Sequence, residues 1–133
     1  MENEKKIKVV LLEPGKLARA TEIDASLAGM QKTVDGLIEP FYPFEEQVCI
    51  VCNEESKING MRPNRSVKND DGVMVDFIFG PAFICDCRGA RLGSLSDEQI
   101  DRYGKIFRYP EHLARVNDTL FGIPYRPQQE QER

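Results

Sequence analysis

The run Gln47 to Asn53, QVCIVCN, constrains the fold more than any other feature of the chain. Five consecutive apolar side chains leave no polar face to turn towards water, so a strand built from them must be covered on both sides. It predicts the middle of a sheet lying between two layers. Residues 7–12, IKVVLL, supply a second strand, with Pro14-Gly15 as the turn after it. The weakly alternating ARATEI at 18–23 then returns antiparallel as the other arm of a hairpin. Two more apolar runs, VMVDFIF at 73–79 and AFICDC at 82–87, are separated by Pro81, which fits either a hairpin or a bulge. In LIEPFYPF at 37–44, Pro40 and Pro43 each remove a backbone donor, so this segment is at best an interrupted or edge strand.

Helix signals are fewer. Asp24 stands where an N-cap belongs, Leu27, Met30 and Val34 follow at helical spacing, and Gly36 is placed to stop the helix. The second helix is better marked. Ser96 and Gln99 form a capping box, Leu95 and Ile100 a hydrophobic staple, Tyr103 and Phe107 extend the apolar face, and Pro110 ends it. Residues 53–72 read as a long connection closing in the Asp71-Gly72 turn, residues 111–123 as a further short helical piece, and PYRPQQEQER at 124–133 as a mobile tail. The expectation is an α+β fold in one domain over residues 1–123, with a mostly antiparallel sheet of about five strands and two packed helices.

A chain of 133 residues with 41% hydrophobic and 30% charged side chains has the composition of a soluble globular domain. The balance of 18 Lys+Arg against 22 Asp+Glu, net charge -4, disfavours a nucleic-acid partner. The apolar run around Val9–Leu12 is too short for a signal peptide and no run reaches the about 20 residues of a membrane span, so the expected location is cytoplasmic. There Cys49, Cys52, Cys85 and Cys87 stay reduced. Four thiolates could hold a zinc ion, but Cys49 and Cys52 in one strand point to opposite faces and cannot converge. They read as small buried hydrophobes, with a redox pair as the alternative, and no metal or cofactor is expected.

The chain has one histidine, His112, and no nucleophile elbow, P-loop, dinucleotide fingerprint or zinc-protease motif. Asp76, between Val75 and Phe77, either faces solvent or contacts a cation or ligand. Glu54 and Glu55 are turn solubilisers or, less simply, an acid/base pair. Lys57, Arg62, Arg65 and Lys68 surround Asn64. Beside Phe41 or Tyr42 as a stacking ring, they would make an anion site of nucleotide size; otherwise they form a solvated basic loop.

The strings LLEPGK (11–16), TEID (21–24), GLIEPFYPF (36–44), VCNEESKINGMRPNR (51–65) and SLSDEQIDRYGKIFRYPE (94–111) together resemble the domain-of-unknown-function family number three thousand eight hundred and forty-six. PAFICDCRGAR at 81–91 departs from that pattern. The resemblance implies an accessory gene of a phage, plasmid or conjugative element. Among the family-like positions, Glu13, Lys16, Glu39, Tyr42, Pro43, Asn53, Glu54, Gly60, Asn64 and Arg65 are not obviously required by the fold. The ligand-binding residues expected from both lines of argument are Tyr42, Asn53, Glu54, Asn64, Arg65 and Asp76, with Asn64 and Arg65 as donors and Tyr42 as the platform. The function expected is that of a non-catalytic counter-defence protein binding a host defence component or a small nucleotide-like ligand. The alternatives are an enzyme acting on a phosphorylated or nucleotide substrate and a regulatory DNA-binding module. Interrupted edge strands make a homodimer the default assembly.

Overall fold

The computed structural model describes residues 5–128. It is an α+β fold of eleven elements in the order β1 (Lys6–Leu12), β2 (Arg19–Asp24), α1 (Leu27–Val34), β3 (Ile38–Phe41), β4 (Val48–Asn53), β5 (Pro63–Lys68), β6 (Met74–Phe79), β7 (Ala82–Asp86), α2 (Asp97–Ile106), β8 (Glu111–Val116) and β9 (Thr119–Pro124). A five-stranded sheet in the order β2-β1-β7-β4-β3 is antiparallel throughout. The expected sheet of about five strands with two helices is therefore present, with two smaller hairpin sheets, β5-β6 and β8-β9, added to it.

The apolar runs are continuous because the sheet is buried on both faces. Ile7, Val9 and Leu11 of β1, Cys49 and Val51 of β4, and Phe83 and Cys85 of β7 meet Met30 and Val34 of α1. The alternate residues Val10, Leu12, Val48, Ile50, Ala82 and Ile84 meet Tyr103 and Phe107 on the other face, together with Val67 of β5 and Ile78 of β6. QVCIVCN is thus double-faced as expected, but the middle strand is β7, with β4 beside it and the proline-bearing β3 on the edge.

Several local expectations are corrected. The N-cap of α1 is Ser26, whose hydroxyl accepts from the Gly29 amide, while Asp24 supports the turn by accepting from the Ser26 amide at 2.9 Å. The left-handed residue ending α1 is Asp35 (φ 64), one position before Gly36. The box on α2 forms as expected, with Leu95 buried and Ile100 packed on the same cluster. The connection 53–72 contains a strand, β5, which the sequence hides because PNRSVK has a single apolar residue besides its proline. Residues 111–123, expected to be helical, form the β8-β9 hairpin. Its turn residues Asn117 (φ 50) and Asp118 (φ 69) both take the positive φ that a type I′ turn requires. The segment expected to be a mobile tail begins with packed residues: the Tyr125 amide donates to the Pro110 carbonyl, the Tyr125 ring stacks on His112 at 4.0 Å, and Pro127 is buried. Residues 129–133 of that segment lie outside the described residues.

Candidate functional site

The six residues singled out in the sequence separate into two groups. Arg65 is completely buried, and all five of its N–H donors have partners. Its Nε donates to the Phe107 carbonyl at 2.7 Å. One terminal nitrogen reaches the Glu13 carbonyl (3.2 Å) and Asn64 Oδ1 (2.5 Å), and the other the carbonyls of Lys16 (2.6 Å) and Arg108 (3.3 Å). One guanidinium therefore ties β5 to the β1-β2 turn and to the C-terminus of α2, whose last carbonyls have no intrahelical partner and favour a cation. Burial lowers its pKa to about 10, with Glu111 opposing, so it stays charged at neutral pH.

Asn64 is equally buried and donates to the carbonyls of Leu12 and Gly80. Both residues turn inward because the register of β5 on β6 shifts between Pro63 and Arg65, a bulge that strict alternation does not allow. Asn53 does similar work on the other face. It donates to the Val34 and Asp35 carbonyls at the end of α1 and accepts from the Glu55 amide at 2.7 Å. Tyr42 is 63% exposed and does not join them. The expected Tyr42–Asn64–Arg65 surface is therefore not assembled; the donors meant for a ligand are engaged by backbone carbonyls. Nor do the basic residues of 57–68 converge, since Arg65 lies inside while Lys57 and Arg62 line different cavities.

A second grouping forms around Asp76. Its Oδ1 accepts from Lys57 Nζ at 2.9 Å and from the Phe77 amide at 2.8 Å. This ion pair is a common wall of two adjoining cavities, with Phe77 and Phe79. The smaller, about 240 Å³, is bordered by Glu39, Glu54 and Asp76 and also by Asn53 and Cys52. Burial, and then the charges of Glu39 and Asp76, push the Cys52 thiol up to about 11, so it is protonated and a poor nucleophile at neutral pH. The larger, about 470 Å³, lies between β6 and the β8-β9 hairpin. Met61, Met74, Phe77, Phe79, Leu113 and Leu120 wall it, and Lys57 and Arg115 bring two cations to it. Of the residues expected from the sequence to contact a ligand, Asp76 borders both cavities and Asn53 and Glu54 only the smaller, whereas Arg115 and the hydrophobic walls of the larger were missed. The missing signal was the hairpin, which puts Leu113, Arg115 and Leu120 on the face towards β6.

The thiols are divided by the sheet. Cys49 and Cys85 are directly opposed on β4 and β7 with sulfurs 3.7 Å apart on the α1 face, whereas Cys52 packs on the α2 face. The hydrogen bond with Cys49, followed by burial, keeps the Cys85 thiol protonated. No group of three metal-ligating side chains is arranged to hold an ion among the described residues.

A family model described as a domain of unknown function, DUF3846, matches residues 7–108. The chain belongs to the DUF3846 family. In this DUF3846 protein the matched segment takes in both faces of the sheet, both helices and the Arg65 junction, and the β8-β9 hairpin follows it. No curated protein and no solved structure matches the chain. Among the described residues no helix is long and apolar enough to cross a membrane.

Proposed function

We propose that this DUF3846 protein is a non-catalytic binding protein whose larger cavity takes a small ligand with an aromatic or apolar body and an anionic group, of nucleotide size. The observation that carries this reading is a cavity of about 470 Å³ walled by Phe77, Phe79 and two methionines, to which Lys57 and Arg115 bring two cations against the single carboxylate of Asp76, itself paired with Lys57. That volume falls within the range of small-molecule sites, and an apolar wall with a few placed charges is their usual composition. The smaller cavity, with three carboxylates against one lysine, is electrostatically unsuited to an anion. Recognition fits the groups better than turnover does. The Cys52 thiol of the adjoining smaller cavity is held protonated, Asp76 is already bound to Lys57 and an amide, and His112 is stacked on Tyr125. A role in a phage, plasmid or conjugative element, sequestering such a ligand or a host defence component, is the biological setting we infer from the family resemblance.

Native mass spectrometry of the protein from its own host, before and after denaturation, combined with thermal shifts against mononucleotides and cyclic dinucleotides, tests the proposal. The expected result is a released nucleotide-like mass or a raised Tm, reduced about tenfold in affinity by Arg115→Ala, since a charge-assisted contact contributes about 1.5–3 kcal/mol. Bare protein and no shift with any nucleotide would overturn it.

A further inference from the structure

The sum of charges hides a separate basic and aromatic face at the junction of the β1-β2 turn and the start of the hairpin. Gly15, at φ +77, has no side chain to obstruct the Arg62 guanidinium, which lies within 3.0 Å of where a Cβ would stand. Arg62 and Lys16 both border an open cavity of about 420 Å³, and Tyr125 closes one side of it. Tyr125 stacks on His112, their planes 13° apart. Next along the surface, Arg108 and Arg126 lie over the Tyr109 ring at 5.6 and 5.5 Å, and Arg126 donates to the Tyr109 hydroxyl at 3.4 Å.

These elements are contiguous because the Arg65 guanidinium holds the Lys16 and Arg108 carbonyls together, and the Tyr125 amide is bonded to Pro110. Lys16, Arg62, Arg108 and Arg126 are all exposed, and none has a carboxylate within salt-bridge distance among the described residues. The acids nearby are turned elsewhere: Glu13 pairs with Arg19, and Glu111 accepts from the Ser66 amide. The buried Arg65 behind the face donates only to neutral acceptors, and the Glu111 carboxylate offsets part of its charge.

We propose that this face binds single-stranded nucleic acid. Cations that track a backbone, interleaved with flat rings and guanidinium planes on which bases stack, are the general requirement for such binding. Two cation pairs, Lys16 with Arg62 at the cavity and Arg108 with Arg126 at the Tyr109 ring, offer separate contacts to successive phosphates of a strand. Tyr125, one face of whose ring rests on His112, supplies a base platform at the cavity that Lys16 and Arg62 border. The face is distinct from the larger cavity, sharing none of its lining residues.

Fluorescence anisotropy with labelled oligonucleotides of about 12 nucleotides, single-stranded and duplex, tests this across about 50–200 mM salt. We expect preferential single-strand binding that weakens steeply with salt. Arg62→Gln combined with Arg126→Gln should lower affinity about tenfold or more and flatten the salt slope by about one unit. Tyr125→Leu should lower it about fivefold or more through lost stacking. Each variant's melting temperature reports whether it folds, and the arginine pair lies on the surface, so its arm survives should Tyr125→Leu destabilise the hairpin. Lys57→Ala with Arg115→Ala serves as the control, with oligonucleotide binding unchanged. Absence of binding at the lowest salt, duplex bound as tightly as single strand, indifference to the arginine pair, or loss of binding in the control would each overturn the inference. None of these outcomes depends on whether the larger cavity binds a nucleotide.

Discussion

Arg65 shows how a residue that reads as a ligand donor can belong to the interior. Arginine beside asparagine in a loop with Gly60 and Pro63 has the composition of an anion site, and nothing local in the sequence tells whether its donors face water or backbone. What decides is non-local, because its acceptors lie at 13, 16, 64, 107 and 108. Removing the guanidinium leaves buried carbonyls unpaired, so Arg65→Gln should destabilise the fold by about 3 kcal/mol, measured as a shift of the urea midpoint. Arg65→Lys should recover only part of this, since three donors on one nitrogen cannot reach acceptors spread around a planar fork. The cysteines were more legible, because the two faces of a strand follow from counting. Thiol labelling at neutral pH should leave Cys49 and Cys85 unmodified until the protein is unfolded, as both are fully buried; fast labelling of either in the native state would contradict the packing around β4 and β7.

At the scale of elements, the parts that could be read are those whose determinants are adjacent in the chain. The α2 start is set by Leu95, Ser96, Gln99 and Ile100, all within six positions, and it forms as expected. The apolar strands β1, β4, β6 and β7 were likewise found. β5 escaped because the bulge at Asn64 lets consecutive polar residues be buried, which breaks the period-two pattern on which strand reading depends. β8 and β9 escaped because HLARV alternates as readily as it fits a helix, and Asn117-Asp118 gives its turn signal only through two positive φ values. The hairpin is held to β5 by the Glu111 carboxylate accepting from the Ser66 amide, and Gly122 makes room for that carboxylate: a Cβ there would collide with Glu111 and stand 3.2 Å from Phe77. Gly122→Ala is therefore expected to separate the hairpin from β6. Amide exchange should accelerate at Ser66 and along β8 while α1 stays protected, and binding in the larger cavity should weaken with it.

The whole molecule is a sheet clamped between two layers, and the clamp on the α2 side should respond to pH at both ends of the scale. Glu46, in the turn before β4, accepts from Tyr103 Oη, Gln99 Nε2 and an Arg102 terminal nitrogen, each at 2.6 Å. The Tyr103 hydrogen bond, then that of Gln99, holds the Glu46 carboxyl below its ordinary value. Its contribution is therefore present above the unfolded pKa and lost as pH falls through the lower folded one. Tyr103 is shifted the other way, to about 12, by burial and then by its bond to Glu46. Its neutral form is the one the fold accommodates, so its contribution is complete below pH about 10 and lost as pH rises from there towards 12. Stability measured by urea unfolding should fall along both limbs. Tyr103→Phe keeps the ring among Phe44, Leu95 and Phe107 but removes the hydroxyl, so the alkaline limb should flatten and the acid limb should shrink. With the carboxylate partly open to solvent, the loss near neutral pH should be on the order of 1 kcal/mol. An alkaline limb as steep in Tyr103→Phe as in the parent chain would place the titrating group elsewhere, and an unchanged acid limb would mean that Gln99 and Arg102 alone hold Glu46 in place.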